Sequence, residues 1–152
     1  MVKNISIGNN CVLHTAATSP TGLGAELILK GNNVIQNNCT LYSCTIETGV
    51  YVGHNSVILE GAILQKGCII APNSVVPPGR VVKERQVWGG NPIKYVRKAL
   101  EQEGFVTLDY ARHMNVHAQS YNNSFLPYSN AYLYRHGPSE VLIMLFSPLR
   151  NM

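Results

Sequence analysis

The chain has 152 residues and a mass of 16.7 kDa, enough for one core with a terminal appendage and too little for two independent cores. Apolar residues make up 45% and charged residues only 13%, which excludes a disordered charged regulator and predicts a subunit whose surface is partly covered by others. The net charge of +4 comes without any basic run interleaved with aromatics, so no nucleic-acid partner is expected.

The longest apolar stretch, residues 141–146, stops at Ser147-Pro148 and is far shorter than the roughly 20 residues a spanning helix needs. Met1-Val2-Lys3-Asn4-Ile5 resembles neither a secretory signal nor an organelle presequence, so any address is removed or is not encoded here. Cys11, Cys39, Cys44 and Cys68 show no CxxC spacing and have small or apolar neighbours. They read as reduced, buried thiols in a reducing compartment, not as a disulfide set, a zinc site or nucleophiles.

In chain order, Ile5-Ser6-Ile7-Gly8-Asn9-Asn10-Cys11-Val12-Leu13-His14 reads as part of an extended coil, and residues 15–25 as a loop excursion from it. Leu29, Ile35 and Leu41 then recur every six residues, and a step of five to Ile46 marks one shorter corner. From Ile46 the period is unbroken through Val52, Ile58, Leu64, Ile70, Val76 and Val82. Four positions after most of these stands a small or compact residue: Val50, Ser56, Ala62, Cys68 and Ser74. A period of six fits neither helix nor simple hairpin, but it suits short extended segments joined by corners, three to a triangular coil. Gly49, Gly53-His54-Asn55, Gly61, Lys66-Gly67, Pro72-Asn73 and Pro77-Pro78-Gly79 fall where corners are needed. The fold class predicted is an all-β solenoid, a parallel β-helix of hexapeptide repeats over residues 1–88, with bare edges only at its first and last coils.

Residues 89–152 are predicted to form a helical segment and a docking tail. Pro92 is placed for the first turn of a helix reaching about Glu103, with Ile93, Val96 and Leu100 on one side, and a second helix is predicted from 107 to about 120. The remainder is too short and too Pro-bounded for its own domain and is expected to dock on a neighbour.

The hexapeptide series closed by Trp88-Gly89-Gly90-Asn91-Pro92-Ile93-Lys94-Tyr95-Val96-Arg97 resembles the end of left-handed β-helix proteins of two kinds, gamma-class carbonic anhydrases and hexapeptide acyltransferases. The order and spacing of Cys11-Val12-Leu13-His14, Ser43-Cys44-Thr45-Ile46-Glu47 and Ser74-Val75-Val76-Pro77-Pro78-Gly79 are similar to the gamma carbonic anhydrases. Within that family, Ser19-Pro20-Thr21-Gly22-Leu23 and Phe125-Leu126-Pro127-Tyr128-Ser129 resemble the carbonic anhydrase-like subunits of mitochondrial respiratory complex I. The resemblance covers roughly residues 5 to 100. It implies a left-handed β-helix in a trimer of gamma carbonic anhydrase-type subunits, peripheral to the inner membrane on its matrix side, touching membrane-arm subunits and lipid.

Active members hold zinc between two subunits through three histidines, which the resemblance carries onto His14, Asn37 and Tyr42. Amide and phenol are poor replacements for imidazole at a catalytic zinc. A polar neighbour of the metal falls on Gly8, which has no side chain, and the Arg and acid of earlier coils have no counterpart before Ile5. The resemblance therefore implies a fold trimmed at its first coils, or a sequence that lacks its start. No catalytic residue, metal or cofactor is expected, and the expected role is that of an inactive structural subunit. An active enzyme with a shared interface zinc, or an acyltransferase, is the alternative.

Other candidates read more simply. His54 in its corner could be an acyltransferase base but reads as a solvated turn residue. His113 and His117, four apart on a predicted helix, could clamp a metal but lack a following Glu and a third ligand.

Overall fold

A hexad places two side chains inward, and the computed structural model, which describes residues 4–16, 22, 25–120 and 144–145, shows where they go. Ile46, Val52, Ile58, Leu64, Ile70, Val76 and Val82 form a wholly buried ladder, and Val50, Ser56, Ala62, Cys68 and Ser74 fill the remaining inward positions. The step of five before Ile46 is a tight corner at Ser43, which has a positive φ of 40°.

Short strands alternate around three faces of a left-handed prism. The first face carries β1 (Ser6–Ile7), β4 (Val34–Ile35), β7 (Tyr51–Val52), β10 (Ile69–Ile70) and β13 (Gln86–Gly89). The second carries β2 (Val12–His14), β5 (Thr40–Tyr42), β8 (Val57–Ile58) and β11 (Val75–Val76), and the third β3 (Ile28–Leu29), β6 (Thr45–Ile46), β9 (Ile63–Leu64) and β12 (Val81–Val82). All pairings between coils are parallel and in register, so each coil's amides are satisfied by the next. Corners take left-handed backbone at Asn10, Asn32, Asn38, Asn55 and Asn73, a conformation Asn tolerates better than other side chains do. At Gly53 the reason for glycine is space: an added Cβ would lie 2.6 Å from the Pro72 backbone nitrogen in the adjacent coil.

The segment after Gly89 differs from the predicted helix. Lys94–Lys98 is a strand, β14, antiparallel to β13, and Pro92 lies in the connecting turn after a cis peptide bond. The last coil's free edge explains this: β13 has N–H and C=O groups that a helix cannot satisfy, whereas a strand rich in Tyr and Val can. Ile93 supplies the buried closure at this end, and its N–H donates to Val75 C=O at 3.0 Å. One helix, α1 (Glu101–Ser120), then replaces the two predicted; it starts earlier than 107 and packs on β1 and β4 through Thr107, Ala111 and Ala118.

Where the tail is described, Met144–Leu145, β15, pairs in parallel with Ser6–Ile7, so the first coil's edge, expected to be bare, is covered there by the chain's own backbone. Residues 17–21, 23–24, 121–143 and 146–152, which include most of the predicted loop excursion and docking tail, lie outside the described residues.

Glu103 fixes the junction between β14 and α1. Its carboxylate accepts from Arg97 Nη1 at 2.9 Å and from the Leu100 N–H at 2.7 Å, the acidic half of a capping box. The Arg97 hydrogen bonds, with the Leu100 amide next, lower its pKa from 4.5 to about 2. A carboxyl held down in the fold stabilises it above the unfolded pKa and loses that contribution as pH falls from about 4.5 towards 2. The protection factor of the Leu100 amide, with its intrinsic exchange rate divided out, is therefore expected to fall several-fold across that window. In Glu103→Ala it should be low and flat across the window.

Candidate functional site

The three positions that the resemblance marks out fall at two different edges of the prism. Strands β2 and β5 are register neighbours, so His14 lies directly beside Tyr42, and their rings stack with centroids 4.3 Å apart and planes 12° from parallel. Both rings stand where the second face turns towards the third, and His14 is exposed. Asn37 lies at the other end of β5, in the corner between the first and second faces. In one chain the left-handed corner at Asn38 and the whole of β5 lie between Asn37 and the Tyr42 ring.

Asn37 is also otherwise engaged. Its Oδ1 accepts from the Asn9 N–H at 2.8 Å and lies against Gly8, where an added Cβ would meet the Asn37 backbone nitrogen at 2.7 Å. Gly8 is thus required by the close approach of adjacent coils. The donors present do not fit zinc: one imidazole stacked on a phenol, and an amide oxygen committed to the backbone of its own chain. Among the described residues, no group of three or more His, Cys, Asp or Glu is placed to hold a metal.

Sequence reasoning missed a small cavity beside Asn37. About 130 Å³ of space lies between α1 and the first coils, bounded by Gly8, Asn9, Gln36, Asn37, Tyr110 and Met114, and Asn9 Oδ1 is buried in this region without a partner among the described residues. The available signal was Tyr110 and Met114, four apart on one side of a helix.

The remaining candidates are placed simply. His54 is exposed in its corner, and His113 and His117 lie on the outer surface of α1. Cys39, Cys44 and Cys68 are buried in the core, and desolvation pushes their thiols up to about 11, 12 and 12. They are protonated at any physiological pH and are poor nucleophiles. Cys11 is half-buried, with its Sγ 3.0 Å from the Gln36 carbonyl oxygen.

A second feature is spread over two faces. Outward on the third face, Ile28, Ile63 and Val81 stack in register with Thr45, and each is more than a third exposed. On the second face Val12, 53% exposed, begins a similar column with Thr40, Val57 and Val75. The helix α1 lies over β1 and β4, on the first face. Flat columns of β-branched side chains on the other two are candidate subunit interfaces.

This combination defines a hexapeptide-repeat β-helix protein. Residues 43–78 match the family described as Bacterial transferase hexapeptide (six repeats). A hexapeptide transferase family protein from Anaplasma phagocytophilum superposes with a TM-score of 0.70 over 79% of this chain and 68% of that one, at 24% identity, a likeness of fold. Among curated proteins, Gamma carbonic anhydrase-like 1, mitochondrial, of Arabidopsis thaliana is 39% identical over 84% of this chain and 51% of its own length. Gamma carbonic anhydrase 2, mitochondrial, of the same plant is 28% identical over 82% of this chain and 48% of its own length. The chain belongs to the gamma carbonic anhydrase family. It spans about half the length of these curated relatives.

Proposed function

We propose that this chain is a catalytically inactive, structural gamma carbonic anhydrase-like subunit. In this reading it works in a trimer with copies of itself or related subunits, on the matrix side of the membrane arm of mitochondrial complex I. The observation that carries the inactivity is the fate of the three ligand positions: His14 stacked on Tyr42, and Asn37 bound to the Asn9 amide. Without three strong donors there is no metal to lower the pKa of a water, and hence no hydroxide nucleophile at neutral pH. The mitochondrial relatives support the compartment, and the uncovered columns on the second and third faces support side-by-side association. Membrane attachment in this reading is peripheral; among the described residues no helix is long and apolar enough to cross a bilayer.

The test is recovery of the protein from its own cells after mild detergent extraction. Co-purification with membrane-arm subunits of the respiratory chain is expected, with less than about a tenth of a zinc ion per chain. A soluble homotrimer free of those subunits, carrying stoichiometric zinc, would overturn both halves of the reading.

A further inference from the structure

The charge of this chain is gathered at one end of the prism. Arg80, Lys83, Arg85, Lys94, Arg97 and Lys98 lie between residues 80 and 98 with Glu84 as the only acid, a net +5 in a chain whose total is +4. These residues belong to the last coil and the β13–β14 hairpin, so the fold stacks them at one end although the sequence disperses them. Two are held in place: Arg97 by Glu103, and Arg80 over the Trp88 ring, 5.0 Å from its centroid. Lys83, Lys94 and Lys98 are exposed and make no ion pair among the described residues. Apolar side chains stand among them, Tyr95 at 50% exposure, Val96 at 58% and Leu100 at 61%.

We propose that this basic and apolar end of the prism docks on the surface of a bilayer containing anionic lipid. Lysines reach lipid phosphates while their stems lie along apolar surface, and Tyr, Val and Leu enter the boundary between headgroups and acyl chains. Nucleic acid fits less well, because exposed Val96 and Leu100 gain nothing against a phosphate backbone, whereas they leave water at a lipid interface. The inference rests on the peripheral membrane placement proposed above and gives it a surface and a lipid class; it uses neither the zinc positions nor the columns of the second and third faces.

The experiment is co-sedimentation of the purified full chain with phosphatidylcholine vesicles, with and without phosphatidylglycerol, at two salt concentrations. Binding is expected only to the anionic vesicles and to weaken with salt. Each cation near such a surface contributes about fivefold, so Lys94→Gln with Lys98→Gln should weaken binding about 25-fold. Lys30→Gln with Arg112→Gln, an equal charge change towards the first coils, should leave it within about twofold. Tyr95→Ser with Leu100→Ser, checked for a native β spectrum, should also weaken binding, with the salt dependence retained. No binding by the unsubstituted chain, equal loss in both charge-removing pairs, or tighter binding to a DNA duplex than to anionic vesicles would overturn the proposal.

Discussion

Histidine at both degenerate positions, Asn37→His with Tyr42→His, is expected to bring zinc into the proposed trimer at close to one ion per chain. Parallel neighbouring strands lie about 4.8 Å apart, so His14 and a histidine at 42 would present two imidazoles side by side where a phenol now stacks on one. The third would come from position 37, which lies at the opposite edge of the second face and can meet the pair only across a subunit boundary. Either single variant offers two imidazoles and should stay substoichiometric, because a tetrahedral zinc with an open position needs three protein donors. Asn37→His gives up the bond from the Asn9 N–H, at a cost of about 1 kcal/mol, which zinc binding exceeds many times over. Hydration of carbon dioxide should remain weak in the double variant, since Gly8 leaves the metal without a polar neighbour. Metal analysis after exhaustive dialysis reads the result. Zinc-free double variant protein with intact trimers would remove the account of why the site is silent.

The second large effect separates the scaffold from its candidate interface. Ile58 is fully buried at the centre of the inward ladder, and Ile58→Ala is expected to cost about 2–5 kcal/mol and to lower the melting temperature by about 10 °C. In a stack where each coil is braced only by its neighbours, a defect in the middle weakens both sides, so unfolding should remain one cooperative transition at lower temperature. Ile63, five residues on and 37% exposed, points outward from the third face. Ile63→Glu should leave the melting of the isolated chain within about 0.5 kcal/mol of normal, the usual range for surface changes, while abolishing association. Calorimetry and light scattering on the two variants give the comparison. An Ile63→Glu chain that still assembles would move the interface off the third face.

The repeat was legible because an inward position must be apolar or small whatever its neighbours are. Ile46 to Val82 could be read by counting alone, as could the corners at Gly49, Gly61 and Asn73, where few residues accept left-handed backbone. The loss of the three-histidine set was legible only through family resemblance. That Asn37 Oδ1 accepts from the Asn9 N–H, or that His14 lies flat on Tyr42, depends on coil-to-coil register 28 residues apart, which no local pattern expresses.

The region after Gly89 shows the opposite case. Ile93, Val96 and Leu100 do have helical spacing, yet Lys94–Lys98 is a strand because the unpaired edge of β13 lies next to it. Only the assembled prism has an edge, so only tertiary structure could decide between the two. The same holds at the other end, where Met144–Leu145 covers β1, and for the six cations that meet on the last coil. By itself the sequence determined what each residue can tolerate: burial, a tight turn, a left-handed corner. Tertiary structure decided which backbone edges, rings and charges meet, because those encounters are fixed by stacking distant segments and not by local preference.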